Sequence, residues 1–198
     1  MGTKNPGKIA EALGILSGLP GIGWRTHADC SFTDVEETGS SFLENALLKA
    51  VAIGGETRLP VLSEDAGLEV SSLGGEPGVR SARYSGEPVD YARNNALLLE
   101  RLSGIADRRA RFVAVAALWL PDGQAFVCSG VLHGRIADSP RGTSGFGYDP
   151  LFVPAGAAKT LAEMTLAEKN EISHRRRAIG RMRILLVDLL ASGDLSGD

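Results

Sequence analysis

Two adjacent acids, Glu64 and Asp65, interrupt an otherwise apolar stretch, Val61-Leu62-Ser63-Glu64-Asp65-Ala66-Gly67. The run after Leu59-Pro60 reads as a strand that ends on the two acids and a glycine. Neighbouring strand residues point to opposite faces, so the two carboxylates diverge and take different jobs. A carboxylate there, followed by small residues, can reach a cation or take a proton from water. The alternative is a solvated strand end, the commoner fate of an acid. Glu36 and Glu37, just before Thr38-Gly39, either form a charged loop or complete a cation site with Asp65.

Positive charge recurs where a helix dipole disfavours it. Thr3-Lys4-Asn5-Pro6-Gly7-Lys8 leads into a helix whose stripe is Ile9, Leu13 and Leu16. Asn5 suits the cap and Pro6 the first helical position, which puts Lys8 in the first turn. Ser173-His174-Arg175 opens the last helix, striped by Ile179, Met182, Leu186 and Leu190 and ended by Gly193. A bound anion justifies cations at two helix starts; an exposed lysine on a solvated helix is the plainer account of Lys8. Only Lys4, Lys8, Lys49, Lys159 and Lys169 are lysine among 21 basic residues, and a compact ammonium suits phosphate. Between Pro140 and Pro150, Phe146 and Tyr148 sit among glycines, where a ring can offer a flat face to a nucleobase or anchor the loop to the core.

The elements that must hold these residues follow from pattern. Ser41-Phe42-Leu43-Glu44 is a capping-box pattern for a helix with Phe42, Ala46, Leu47 and Ala50 on its apolar face, ended by Gly54-Gly55. Leu68-Glu69-Val70 reads as a second short strand before the turn at Gly74 to Gly78. Asp90 caps a helix to about Leu102 with Ala92, Ala96, Leu97 and Leu99 for packing. Arg111 to Leu120 and Ala125 to about Gly134 form a hairpin across Pro121-Asp122-Gly123. Thr165 to Glu168 caps a short turn that carries Lys169 and Asn170.

Composition bounds the function. The 198 residues fit one large domain or two lobes, and a net charge of −3 gives no field for a nucleic-acid backbone. No apolar run reaches membrane-spanning length, no signal-peptide pattern opens the chain, and Cys30 and Cys128 suggest no disulfide framework. A cytoplasmic protein without nucleic-acid or membrane partners is expected. The 25 glycines, where roughly 14 would be usual, point to sharp turns and close backbone approaches.

The ordered set Thr3-x-Asn5-x-x-Lys8, Glu37-Thr38-Gly39, Phe42-x-Glu44-Asn45-Ala46, Glu64-Asp65-x-Gly67-Leu68, Gly74-Gly75-x-Pro77-Gly78, Ser81-Ala82-Arg83-Tyr84, Phe146-Gly147-Tyr148-Asp149-Pro150 and Glu168-Lys169-Asn170-x-x-Ser173-His174-Arg175 resembles the inosine triphosphatase family. These are house-cleaning pyrophosphatases for abnormal purine nucleoside triphosphates. The resemblance runs from Thr3 to the last helix. It implies an α/β fold: a long mixed central β-sheet with flanking helices and two lobes around a substrate cleft, all one pyrophosphatase domain over 1–198. It also implies cleavage of ITP, dITP or XTP to monophosphate and pyrophosphate, with Mg²⁺, in a homodimer. By motif position Asp65 is the general base and a metal ligand, and Glu37 is the second metal ligand. Thr3, Lys4, Asn5, Pro6, Gly7, Lys8, Ala66 and Lys169 contact the phosphate end of the substrate. Phe146, Gly147, Tyr148, Asp149, His174 and Arg175 hold the base, with Arg175 and backbone N–H groups donating to a 6-keto oxygen.

The chain departs from the family pattern twice. Ala66 stands where serine is common, which removes one hydroxyl. Only Met1-Gly2 precede Thr3, so the family's N-terminal strand is expected to be missing. A nucleotide-binding module without turnover and a pyrophosphatase of broader base range are the rival readings; the presence of both Glu37 and Asp65 favours the enzyme.

Overall fold

This computed structural model describes residues 1–193. The chain is α/β and forms two compact units. Unit 1 holds Met1–Asp65, Ala114–Gly130 and residues 175–193; unit 2 holds Ala66–Val113 and Val131–His174.

In unit 1, α1 (Pro6–Leu16) begins as its sequence predicts: Asn5 caps it by accepting from the Lys8 N–H, and proline takes the first turn. Its buried face is Glu11, Ala12, Ile15 and Leu16 rather than the expected Ile9, Leu13 and Leu16. The stripe is rotated because an acid, Glu11, is drawn inward. α2 (Phe42–Thr57) is capped by Ser41, while Glu44 turns back to Ser40 instead of closing a box on Ser41. It runs through Gly54-Gly55 and stops at Arg58, whose left-handed backbone donates to Gly54 O. Gly54 therefore serves packing: a Cβ there would come within 2.9 Å of Trp119 Cδ2 and closer still to Cε3 and Cζ3 of the same ring. α5 (His174–Ser192) lends Ala178, Ile179, Met182, Leu186 and Leu189 to the core of this unit, and Gly193 follows with positive φ.

The strand carrying the two acids does not stop at them. β1 (Val61–Val70) is continuous, merging the two short strands expected there, and both acids are buried in it. Cationic partners on neighbouring helices make that burial tolerable, so the solvated strand end is excluded. β2 (Arg109–Trp119) and β3 (Ala125–Ile136) sit side by side across the tight turn at Gly123, as the hairpin pattern predicts. β4 (Phe152–Pro154) pairs antiparallel with the end of β3, Arg135 opposite Val153. Among the described residues the sheet has four strands in the order β1-β2-β3-β4. It is shorter than the long mixed sheet expected. Pro20, Gly21 and Gly23 in one connection, and Pro140, Gly142, Gly145 and Gly147 in another, break the pattern a further strand would need.

Unit 2 packs Leu68, Val70, Leu98, Leu102, Ala110, Phe112, Leu132, Ile136, Leu151 and Phe152 into one core. α3 (Tyr91–Arg101) is capped by Asp90 and buries Asn94 and Leu98, whereas the expected packing residues Ala92 and Ala96 face solvent. Asn94 is stabilised in its buried position by bonding Ser85 and the Ala82 carbonyl, which fixes the helical turn Gly78–Arg83. α4 (Leu166–Ile172) has the full capping box predicted from Thr165 and Glu168.

Candidate active site

On α2 the buried stripe is Phe42, Asn45, Ala46, Lys49, Ala50 and Ile53. Asn45 and Lys49 are polar residues at core positions, and both face the Asp65 carboxylate. Lys49 Nζ donates to Asp65 Oδ1 at 3.3 Å, to Glu37 Oε1 at 2.5 Å and to the Glu64 backbone carbonyl at 2.9 Å. Asn45 Nδ2 donates to Asp65 Oδ2 at 3.2 Å, while its own oxygen accepts from Gly39 N–H at 2.8 Å. One amide thus ties the loop that carries Glu37 to the carboxylate of β1. A Cβ at Gly39 would meet Asn45 Oδ1 at 2.6 Å, so the loop closes only on glycine.

Glu64 points the other way, as strand alternation requires. Arg175 Nε donates to both its oxygens at 3.0 Å, Arg175 Nη1 donates to Glu11, and Lys8 Nζ stands 3.8 Å from Glu64 Oε2. Arg175 is only 2% exposed. Lys8 and Glu11 are both on α1, so a buried network of four charges joins α1, β1 and α5. Thr3 Oγ1 accepts from Asn5 N–H and shapes the turn before α1. Lys4 reaches away to Asp34 at 2.7 Å and lies over the Phe32 ring.

The groups in unit 2 form their own cluster. Lys169 Nζ, buried, donates to Asp149 Oδ2 at 2.6 Å and lies 5.1 Å from the centroid of Phe146. The same Asp149 oxygen accepts from Phe146 N–H at 3.0 Å, which curls the loop around Gly147 at positive φ. Phe146 is half-buried beside Tyr91. Tyr148 is a core residue: its ring is buried and its hydroxyl donates to Ser81 O. His174 is buried and stacked on Phe112 at 4.7 Å. Ala66, the first residue of unit 2, is half-buried.

Of the residues expected at the site, Asn5, Lys8, Glu37, Asp65 and Arg175 belong to unit 1, and Phe146, Gly147, Tyr148, Asp149, Lys169 and His174 to unit 2. Glu37 and Asp65 meet on Lys49; Phe146, Asp149 and Lys169 meet one another. Sequence reasoning assigned Asn45 and Glu11 no role and took Lys49 only as one of five lysines that suit phosphate, not as the partner of Glu37 and Asp65. Their signal was there: each is a polar residue on the buried face of a helix.

Burial governs the electrostatics of unit 1. It pushes the Asp65 carboxyl above its ordinary value; Lys49 and Lys8 offset only part of that, and Glu37 adds a like charge. Burial also works against the Lys49 ammonium, but Asp65 and Glu37 together outweigh it and raise its pKa. For Lys8 burial prevails over Glu64, and its pKa is lowered. Glu64 and Glu11 overcome burial at Arg175 and strengthen its hold on its proton.

Lys49 marks a point where three oxygens converge: two carboxylates and a carbonyl. That donor set fits a hard divalent cation such as Mg²⁺, which binds through one or two carboxylates and keeps sites for water and substrate phosphate. Among the described residues no three His, Cys, Asp or Glu side chains form a dedicated metal cage. No helix among them is long and apolar enough to cross a membrane.

The profile of the Ham1 family matches residues 1–184. The chain belongs to the Ham1 family. It is 48% identical to a dITP/XTP pyrophosphatase of Deinococcus deserti, over 91% of this chain and 85% of that protein. With a dITP/XTP pyrophosphatase of Thermus thermophilus it shares 50% identity, over 90% of this chain and 86% of the other. The solved Ham1 protein of Staphylococcus aureus superposes with a TM-score of 0.86 at 41% identity, covering 94% of this chain and 96% of that one. The resemblance drawn from the ordered motifs is therefore borne out; in this chain α2 ties Asp65, in mid-strand, to Glu37, in a loop, through Lys49.

Proposed function

We propose that this chain hydrolyses abnormal purine nucleoside triphosphates, ITP, dITP and XTP, to the monophosphate and pyrophosphate, keeping them out of nucleic acid. The observation that carries this reading is Asp65: a buried carboxylate with a raised pKa, paired with Glu37 through one ammonium, in a chain about half identical to curated dITP/XTP pyrophosphatases.

Asp65 takes the proton from the attacking water, for which a carboxylate of raised pKa is the better base. The water oxygen bonds to the α-phosphorus, the α–β bridge breaks, and pyrophosphate leaves with the bridging oxygen. Glu37 and Asp65 would hold Mg²⁺, which when bound supplies charge neutralisation at the phosphates. The turn Thr3, Lys4, Asn5, Pro6, Gly7 with Lys8 presents backbone N–H groups and an ammonium to the phosphate oxygens, and Ala66 offers a backbone N–H. Lys169, hydrogen-bonded to Asp149, adds a second ammonium.

Phe146 stacks on the base, which holds purines without telling them apart. Selection comes from N–H groups that fit a 6-keto oxygen and leave adenine's amino group unmatched: those of Gly147, Tyr148 and Asp149, with His174 and Arg175. Arg175 can donate to a base only by sharing N–H groups now given to Glu64 and Glu11. The same reading makes the protein a cytoplasmic homodimer.

The test is pyrophosphate release from ITP, dITP, XTP, GTP and ATP, with and without Mg²⁺. Mg²⁺-dependent release with a large preference for ITP, dITP and XTP over ATP is expected. Tight binding of ITP without release would make the chain a binding module; equal rates on ATP would make it a pyrophosphatase of broad range.

A further inference from the structure

Lys49 occupies the space between Glu37 and Asp65. All three protons of its ammonium are engaged, by Glu37, Asp65 and the Glu64 carbonyl, and its side chain is only 10% exposed. These are the oxygens a divalent ion would need. An ammonium and a divalent cation compete for them, because like charges repel strongly at a partly desolvated site. The loop carrying Glu37 and the strand carrying Asp65 stay in register in this arrangement through Asn45, whose amide bonds Gly39 and Asp65 at once. Lys49 and Asn45 therefore divide the work: the amide fixes the spacing and the ammonium supplies the charge.

We propose that Lys49 is a built-in counter-cation that holds Glu37 and Asp65 together and must be displaced from them when a divalent ion binds. The inference rests on the reading of Glu37 and Asp65 as the ion's ligands. Its consequence is a coupling between metal and substrate. Two carboxylates with Lys49 carry one net negative charge. A divalent ion reverses that sign and leaves an ammonium without its partners. A triphosphate brings the negative charge that both cations then need, so metal alone binds weakly and metal with triphosphate binds tightly. The energetic link is reciprocal: the ion raises triphosphate affinity by the same factor. Lys49 thereby discourages the site from loading a divalent ion without a substrate present.

The experiment measures Mn²⁺ binding by the EPR signal of the unbound ion, with and without a non-hydrolysable α,β-methylene inosine triphosphate. The parent, Lys49→Met and Lys49→Gln are compared, and each is also melted with EDTA and with Mn²⁺. The parent should bind Mn²⁺ about 10-fold or more tightly with the analogue than without it. Both neutral variants should bind Mn²⁺ alone about 10-fold or more tightly than the parent, lose most of the coupling, and gain more in melting temperature on Mn²⁺ addition. Lys49→Gln keeps a hydrogen-bond donor, so it serves if the methionine variant folds poorly. A Lys49 that merely packs, or that helps to hold the ion, predicts unchanged or weaker Mn²⁺ binding in the variants, and either result overturns the inference. A parent that binds no Mn²⁺ even with the analogue would instead remove Glu37 and Asp65 as ligands, and the inference with them.

Discussion

Arg175→Met removes a buried guanidinium from between two carboxylates. Arg175 Nε donates to both oxygens of Glu64 at 3.0 Å and Nη1 donates to Glu11, with the side chain 2% exposed. Breaking a buried ion pair by deleting one partner costs about 3–5 kcal/mol, because the other charge is stranded. Two carboxylates are stranded here, which argues for the top of that range. Lys8, 3.8 Å from Glu64, can close in and relieve part of the loss, so about 4 kcal/mol is expected. In a chain of this size that lowers the melting point by roughly 8–16 °C. Urea unfolding at pH 7 measures the loss directly. Adding Glu64→Gln should restore part of the stability, a non-additivity expected only of residues in contact. A loss under about 1 kcal/mol, the size of a surface salt bridge, would refute the reasoning. Turnover separates the second role: a similar drop in kcat/KM for ITP and ATP assigns Arg175 to holding Glu64 and Glu11, whereas a selective drop for ITP assigns it to the base.

Other outcomes follow from single contacts. Asp65→Asn should lose at least ~100-fold in turnover with Mg²⁺ present while keeping its circular dichroism; near-normal turnover would remove Asp65 as the base. Lys8 has a folded pKa below its ordinary 10.5, because burial prevails, so its proton weakens the fold at neutral pH and this penalty fades as pH rises through the folded value toward 10.5. Lys8→Met should therefore melt above the parent at pH 7, with the gain vanishing near pH 10.5, though it loses activity; a lower melting point at pH 7 would contradict the sign. Gly54→Ala pushes a methyl into Trp119 and should cost about 1–3 kcal/mol with a change in indole fluorescence, whereas parent-like urea unfolding would show that the ring can move aside.

Much of this chain is legible in the order of its residues. Local chemistry sets the helix starts: Asn5 with Pro6, Ser41, Asp90 and the Thr165 to Glu168 box all cap where their side chains predict, because a cap depends on residues three or four apart. The β2–β3 hairpin is equally local. The family, and with it the expectation of a nucleotide pyrophosphatase, is carried by the order of short motifs. Opposite destinations for Glu64 and Asp65 follow from strand alternation alone.

Tertiary structure decided what lies far apart in sequence. Nothing near residue 64 says that Arg175, 111 positions on, is its partner. Nor does the sequence around Glu37 reveal that Lys49 holds it against Asp65. The helix faces moved for the same reason: α1 turned Glu11 inward and α2 turned Asn45 and Lys49 inward because each found an ionic or amide partner there. Without those partners their burial would be too costly. Tyr148 went to the core and Phe146 stayed half-buried, although both are aromatics in one glycine-rich loop; the Ser81 carbonyl, reached only in the fold, took the tyrosine hydroxyl. Sequence determined which residues are able to do the chemistry and where the elements begin. Only the packed chain decided which charges meet, because the energy of a buried charge depends on partners that the chain brings together only by folding.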